Sequence, residues 1–377
     1  MDKLQDGNKN NKKLKNMVNY LKNIQNNKIY KISVILILIL LSVVFLILGL
    51  YYGGNSKTIS IDDVTNFVIH QSTGDMFKDT LLKEVRFPQV FGAIAIGITL
   101  AGSGLMLQVL FRNLLASPYT TGISSGVLLM ISFVIFIDSF SNLLNAFETS
   151  NVLIAGWIGG MISTVVLISI AFKVKESNSV IIIALLASYL FSGIRSYLIN
   201  SAGGLAVDEY FGFVVGNLSK LTYNAVPPMA FATIIFIIAS LFLIKPLNAL
   251  IFGENYAKSF GLNIKKVRIV ILVLTSFVVG LIIPYVGLMA FVGISAPYLA
   301  RPLLRTSDNT YLLPASMLIG ILLMLVCHII TLRYYLPFQL LFDIKTASVL
   351  PISAVLDVVG GLVVIYLIMQ GEKKLVL

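Results

Sequence analysis

Few residues in this chain are equipped to do chemistry, and their spacing keeps them apart. The single cysteine, Cys327, lies within an apolar run, and the two histidines, His70 and His328, are widely separated. Neither a disulfide framework nor a metal-ligand cluster can be built from them. Nucleophiles and bases are not clustered either, which argues against an enzyme. No G-x-x-x-x-G-K-S/T segment exists to cradle ATP phosphates, so any ATP must be hydrolysed by another polypeptide and no cofactor is expected on this chain. Asp357 is the exception. It is a carboxylate inside the apolar run 350–369, where an acid costs about 2.5–3.5 kcal/mol on membrane-insertion scales and is a functional suspect by default. It could serve an ion-gradient-driven secondary transporter, or be a paired or path-facing structural acid with His328 as a candidate partner.

The other concentration of polar residues is the stretch 247–268, LNALIFGENYAKSFGLNIKKVR, a basic island between apolar runs. Gly253 and Gly261 bracket a short helical piece at 254–260, because glycine ends helices and tolerates left-handed backbone. The pattern predicts two short helices with a kink, lying against a membrane surface. Lys258, Lys265, Lys266 and Arg268 place the island on the cytoplasmic side. A solvated loop is the plainer alternative.

The surrounding elements follow from composition. The chain has 377 residues, 57% hydrophobic and 12% charged, with a mean hydropathy of +0.92. A soluble domain carries roughly 25% charged residues, so lipid must solvate much of this surface. Apolar runs of about 20 residues cross a bilayer as helices, which satisfy their own backbone polar groups. The expected fold is therefore an all-α integral membrane protein with about ten spans, at 32–52, 86–111, 119–137, 152–172, 180–199, 225–244, 267–283, 287–299, 311–331 and 350–369. The eighth is short and interrupted by Gly293 and Pro297. Residues 1–31 read as a basic cytoplasmic tail and 32–377 as one transmembrane domain.

Small residues recur at four-residue spacing. They are Ala93, Gly97 and Ala101; Gly122 and Gly126; Gly156 and Gly160; and Ala184, Ser188, Ser192 and Ser196. Such stripes let helix backbones approach closely in lipid.

Ten spans put both termini on one side. The tail lysines, Arg112, Lys173, Lys175, Lys245, the island cations, Arg301, Arg305, Lys373 and Lys374 then fall inside. Lys57, Lys78, Lys83, Arg86, Lys220, Arg333 and Lys345 fall outside. The bias matches the positive-inside rule. The net charge of +11 is spread between spans rather than gathered for a nucleic acid.

The island resembles the cytoplasmic coupling loop of ATP-binding-cassette importer permeases of the iron-siderophore, haem and cobalamin class, the FecCD-like type II importers. Leu247, Asn248, Leu250, Gly253, Glu254, Ala257, Gly261 and Arg268 fit that loop, while Phe252 and Phe260 stand where Leu is usual. The stretch RFPQVFGAIAIGITLAGSGLMLQVLFRNLLASPYTTGISSG resembles the same family's signature through Arg86, Pro88, Gly97, Ala101, Gly102, Gln108, Arg112, Asn113, Leu115, Ala116, Pro118, Gly122 and Gly126. It departs at Gln89 and Leu114. Gly287, Phe291, Val292, Gly293, Pro297 and Arg301 match a further motif, with Tyr298 in place of His. Together the matches cover residues 86–369.

The resemblance implies a permease subunit in the cell membrane that works as a homo- or heterodimer. Its partners would be ABC ATPase subunits and an external solute-binding protein. It also implies ATPase coupling at Gly253, Glu254, Ala257, Lys258 and Gly261. An inner gate would lie at Asn113 and Leu115, and docking of the binding protein at Arg86 and Arg333. The family pattern carries no acid at Asp357.

Overall fold

The structure is a computed structural model that describes residues 28–52, 59–137, 140, 151–173, 177–333 and 350–371. Among these, every regular element is helical. In chain order they are α1 (Lys28–Tyr51), α2 (Ile61–His70), α3 (Met76–Thr80), a π-helical turn (Leu81–Arg86), α4 (Phe87–Phe111), α5 (Ile123–Phe136), α6 (Asn151–Lys173) and α7 (Ser177–Ser201). There follow α8 (Gly204–Val214), two 3-10 turns (Leu218–Lys220 and Tyr223–Ala225), α9 (Val226–Ile251), α10 (Glu254–Ser259), α11 (Ile264–Val286), α12 (Val292–Leu304), α13 (Asn309–Arg333) and α14 (Ile352–Gly371).

Seven stretches are helical, long and apolar enough to cross a membrane: Lys28–Tyr51, Met76–Phe111, Asn151–Lys173, Val180–Ser201, Tyr223–Ile251, Ile264–Val286 and Asn309–Leu332. Ile123–Phe136 and Ile352–Tyr366 are shorter apolar helices.

Helix α4 is the axis of the bundle, packing against α13, α9, α12 and α11. Its small residues are what admit them. A Cβ on Gly97 would sit 2.6 Å from the carbonyl carbon of Gly320 in α13, and one on Gly104 would sit 2.6 Å from that of Gly293 in α12. The stripes of Gly97, Gly126 and Gly156 therefore face neighbouring helices, as do Ala184 and Ser188, whereas Ser196 at the end of its stripe is exposed. Gly126 meets Ser163 of α6, Gly156 meets Pro284 of α11, and Ser188 of α7 meets Gly122. With lipid outside, this close backbone contact is the main source of cohesion.

The two ends of the bundle differ. One gathers the start of α1, the end of α4, the α9–α11 connection and the α12–α13 turn. There Lys31 Nζ donates to Thr306 Oγ1 at 3.2 Å, Tyr30 donates to the Leu303 carbonyl at 2.9 Å, and Arg268 donates to the Ala171 carbonyl at 2.8 Å. The other end gathers the end of α1, α2, α3 and the segments flanking α8, where Leu288 N–H bonds the Val214 carbonyl and Ser353 N–H bonds the Gly216 carbonyl, each at 3.1 Å. Arg112, Lys173, Lys258, Lys265 and Lys266 share the first end, and Lys78, Lys83 and Lys220 share the second.

Several boundaries differ from expectation. The eighth element is α12, beginning at Val292 and running unbroken through Gly293, Pro297 and Pro302. Gly287 ends α11 at φ +76°, and the Asn217 N–H to Val286 carbonyl and Leu288 N–H to Val214 carbonyl bonds hold the following residues against 214–217, so α12 begins later than 287. Helix α9 continues through Pro246 to Ile251, so the island holds one separate short helix, α10, rather than two. The third apolar element starts at Ile123 because 118–122 form a turn. Helix α1 starts at Lys28, inside the expected tail.

Candidate coupling and gate site

Helix α10 is made by its ends. Gly253 takes φ +104°, which L side chains rarely adopt, and reverses the chain after α9. Gly261 at φ +78° closes the helix, and Asn263 Oδ1 accepts the Lys266 N–H at 3.1 Å to begin α11. Ala257 faces inward and is fully buried, while Leu247 and Leu250 are buried at the end of α9.

The outward face is aromatic. Phe252, Tyr256 and Phe260 are 70%, 50% and 69% exposed, and their rings form a ladder with centroids 5.3 and 4.8 Å apart. Phe252 caps the end of α9 and Phe260 the end of α10, so the three rings meet around the turn at Gly253 rather than along a single helix. Lys258 is exposed on α10.

Glu254 is tied inward. Its Oε1 lies 2.7 Å from Arg268 Nη2, and the same guanidinium donates to the C-terminal carbonyl Ala171 of α6. The pair therefore joins α10 to α11 and α6, and Arg268 complements the negative end of the α6 dipole.

The expected gate turn follows α4. Arg112 adopts φ +51° as its cap, Asn113 N–H bonds the Gln108 carbonyl at 3.1 Å, and Asn113 Oδ1 accepts the Leu115 N–H at 2.9 Å. Thr120 Oγ1 donates to the Leu115 carbonyl at 2.9 Å. Leu115 is 49% exposed on a turn that is otherwise pinned. The turn lies close to α10, since a Cβ on Gly253 would be 3.8 Å from Arg112 Nη1. The structure thus places the Arg112 side chain, which precedes Asn113 and Leu115, beside Gly253 at the start of α10.

The remaining site residues lie apart from this group. Arg86 is 2% exposed, and its Nη1 donates to the Leu50 and Tyr51 carbonyls at 2.7 and 2.9 Å. A guanidinium buried against the end of α1 cannot meet a carboxylate on another protein, so the docking expectation for Arg86 is corrected to that of an internal cap. Arg333 closes α13, and its side chain lies outside the described residues. Asp357 is exposed on α14 with no hydrogen bond or ion pair among the described residues, and His328 is buried in α13 without pairing to it. The suggested Asp357–His328 pair is therefore not formed.

Two features of the site escaped the sequence reading. Phe252 and Phe260 stood out only as departures from a leucine pattern, although their i, i+8 spacing with Tyr256 between was visible. Asn248 and Asp308, far apart in sequence, gave no signal that they meet.

A profile of the FecCD transport family matches residues 37–370. The chain is 56% identical over 336 residues to a Methanocaldococcus jannaschii protein, MJ0876, whose name calls it an ABC transporter permease protein; the match covers 89% of this chain and 96% of that one. It is 26% identical over 301 residues to the vitamin B12 import system permease protein BtuC of Vibrio parahaemolyticus, covering 79% and 85% of the two chains. Its fold is similar to a structure described as an inward-facing conformation of a metal-chelate type ABC transporter, with a TM-score of 0.72, 23% identity, and coverage of 90% and 99%.

Proposed function

We propose a function that starts from the family: the chain belongs to the FecCD transport family, and we read it as the permease subunit of an ATP-driven importer. Ten spans, the seven long helices with α5, α12 and α14, cross the cell membrane with both termini in the cytosol. ATPase subunits dock on α10, and an external binding protein delivers the solute. That solute is an iron-siderophore, haem or cobalamin-type chelate.

The observation that carries this reading is the aromatic face of α10. Phe252, Tyr256 and Phe260 present their rings outward at the bundle end richest in lysine and arginine. Exposed aromatic clusters of this kind mark protein interfaces. The inward Glu254–Arg268–Ala171 contacts let α10 push on α11 and α6 as a rigid piece.

A second permease copy is supported by the uncovered helix faces. Helices α1 and α9 expose Ile, Leu, Val and Phe, as lipid-facing surfaces do. Helix α14 likewise exposes Val358, Leu362 and Ile365, but it carries Asp357 on the exposed surface among them, and an unpaired carboxylate at that depth favours a partner surface or an aqueous path over lipid.

The test is assembly and sidedness. The chain is expected to co-purify with a nucleotide-hydrolysing subunit, and a Lys258→Cys reporter in a Cys327→Ala background is expected to react with an impermeant thiol reagent only from the cytosol. Labelling from outside, or ATP-independent uptake by the chain alone, would refute the reading.

A further inference from the structure

We propose that Asn248 is a positioning residue that locks the end of α9, and with it α10, to the N-terminus of α13, so that displacement of α10 is carried into the helix that grips α4. The inference rests on the coupling reading above. The Asn248 carboxamide is engaged at both of its polar atoms. Its Oδ1 accepts the Asn309 N–H at 2.7 Å, and its Nδ2 donates to Asp308 Oδ1 at 2.8 Å.

The first N–H groups of any helix lack intrahelical partners and need caps. Here Asp308 already caps α13 locally, accepting the Thr310 N–H at 2.9 Å. A residue from another helix, 61 positions away, supplies the next bond. Capping by itself would not need so distant an acceptor; joining two helices would.

The contacts on either side are stiff. Asn248 lies between Pro246 in α9 and Gly253, where α10 begins. Beyond the clasp, α13 meets α4 backbone to backbone at Gly320 and Gly97, and α4 ends at the Asn113–Leu115 turn. Close-packed backbone leaves no soft layer to absorb a displacement. The opposite flank of α10 is held by Glu254 and Arg268. Helix α10 is thus tethered to two groups of helices, α13 with α4 and α11 with α6, and a push on it bears on both.

The junction is also not packed for stability alone. Asn309 is fully buried, and neither polar atom of its side chain is hydrogen-bonded among the described residues. Such a group is costly, and a purely structural junction would be expected to exclude it.

The experiment uses the full chain in nanodiscs with its ATPase subunit bound. Cys327→Ala removes the native thiol, which is buried, and Tyr119→Cys places one reporter on the 47% exposed position beyond the gate turn. The reporter's reaction rate with a water-soluble maleimide is compared without nucleotide and with ATP plus vanadate. Asn248→Ala is expected to keep the bound ATPase and its hydrolysis while shrinking the nucleotide-dependent rate change about tenfold, equivalent to about 1.4 kcal/mol of coupling.

Asn248→Asp sets a carboxylate against Asp308 and is expected to fail in the same way. Asn248→Asp combined with Asp308→Asn reverses the pair and is expected to restore the response, which also decides the matter if Asn248→Ala does not fold. An undiminished response in Asn248→Ala, no rescue in the reversed pair, or loss of ATPase binding on substitution overturns the inference. An unsubstituted complex that binds no ATPase, or whose reporter ignores nucleotide, overturns the coupling reading instead.

Discussion

Truncating Phe260 to alanine is expected to weaken docking of the ATPase subunit while leaving the bundle intact. The side chain is 69% exposed and closes the ladder against Tyr256, so the free chain loses little when it is removed. A fully covered aromatic side chain buries about 150–250 Å², so roughly 140 Å² of Phe260 is available to a partner. At about 25 cal/mol per Å² that area is worth at most about 3.5 kcal/mol. Ordering costs and partial coverage reduce it to about 1.5–2 kcal/mol, or roughly ten- to thirtyfold in Kd.

Phe252, at 70% exposure, is expected to behave alike. Tyr256 packs at a tilt against both, and its loss is expected to cost as much although it is the least exposed. The assay is equilibrium binding of the labelled ATPase subunit to the chain in nanodiscs, with the unfolding midpoint measured in parallel. Affinities within about twofold of the unsubstituted chain for all three truncations, with the fold intact, would refute the assignment of this face.

Two further outcomes follow from the geometry. Arg86→Ala removes both hydrogen bonds to the end of α1 and is expected to lower stability by about 2–4 kcal/mol, read as a drop in thermal midpoint. The folded fraction is expected to bind the external protein with unchanged affinity. Burial of Asp308 opposes its ionisation, but the Thr310 N–H and hydroxyl and the Asn248 amide outweigh that and hold its carboxyl below the ordinary carboxylate range. A carboxyl depressed by folding contributes fully above its unfolded pKa of about 3.9 and loses that contribution as pH falls through the folded value. The stability difference between the native chain and Asp308→Asn is thus expected to be flat from about pH 5 to 8 and to shrink only in stronger acid, as followed by midpoint against pH.

Much of the architecture was legible because it depends on local sequence. Apolar runs bounded by Gly, Pro and charge marked the spans, since a backbone in lipid must bond to itself. Small residues at four-residue spacing marked the faces where Gly97 meets Gly320 and Gly126 meets Ser163. The helix-ending glycines Gly253 and Gly261 marked α10. Element limits were less legible, because the backbone bonds from Asn217 to Val286 and from Leu288 to Val214, where α12 is delayed, join segments distant in the chain.

What only the tertiary structure decided is the partner of each polar side chain. Arg86 read as an outward cation, yet packing of α1 against the π turn turned it into a cap for Leu50 and Tyr51. Asp357 and His328 read as a possible pair, and helix rotation left one exposed and the other buried. Asn248 read as one matching letter of a loop, and the meeting of α9 with α13 made it a clasp. Periodicity and composition state which faces must leave water. They carry no information on how two helices are rotated about their axes, and that rotation chooses the partners.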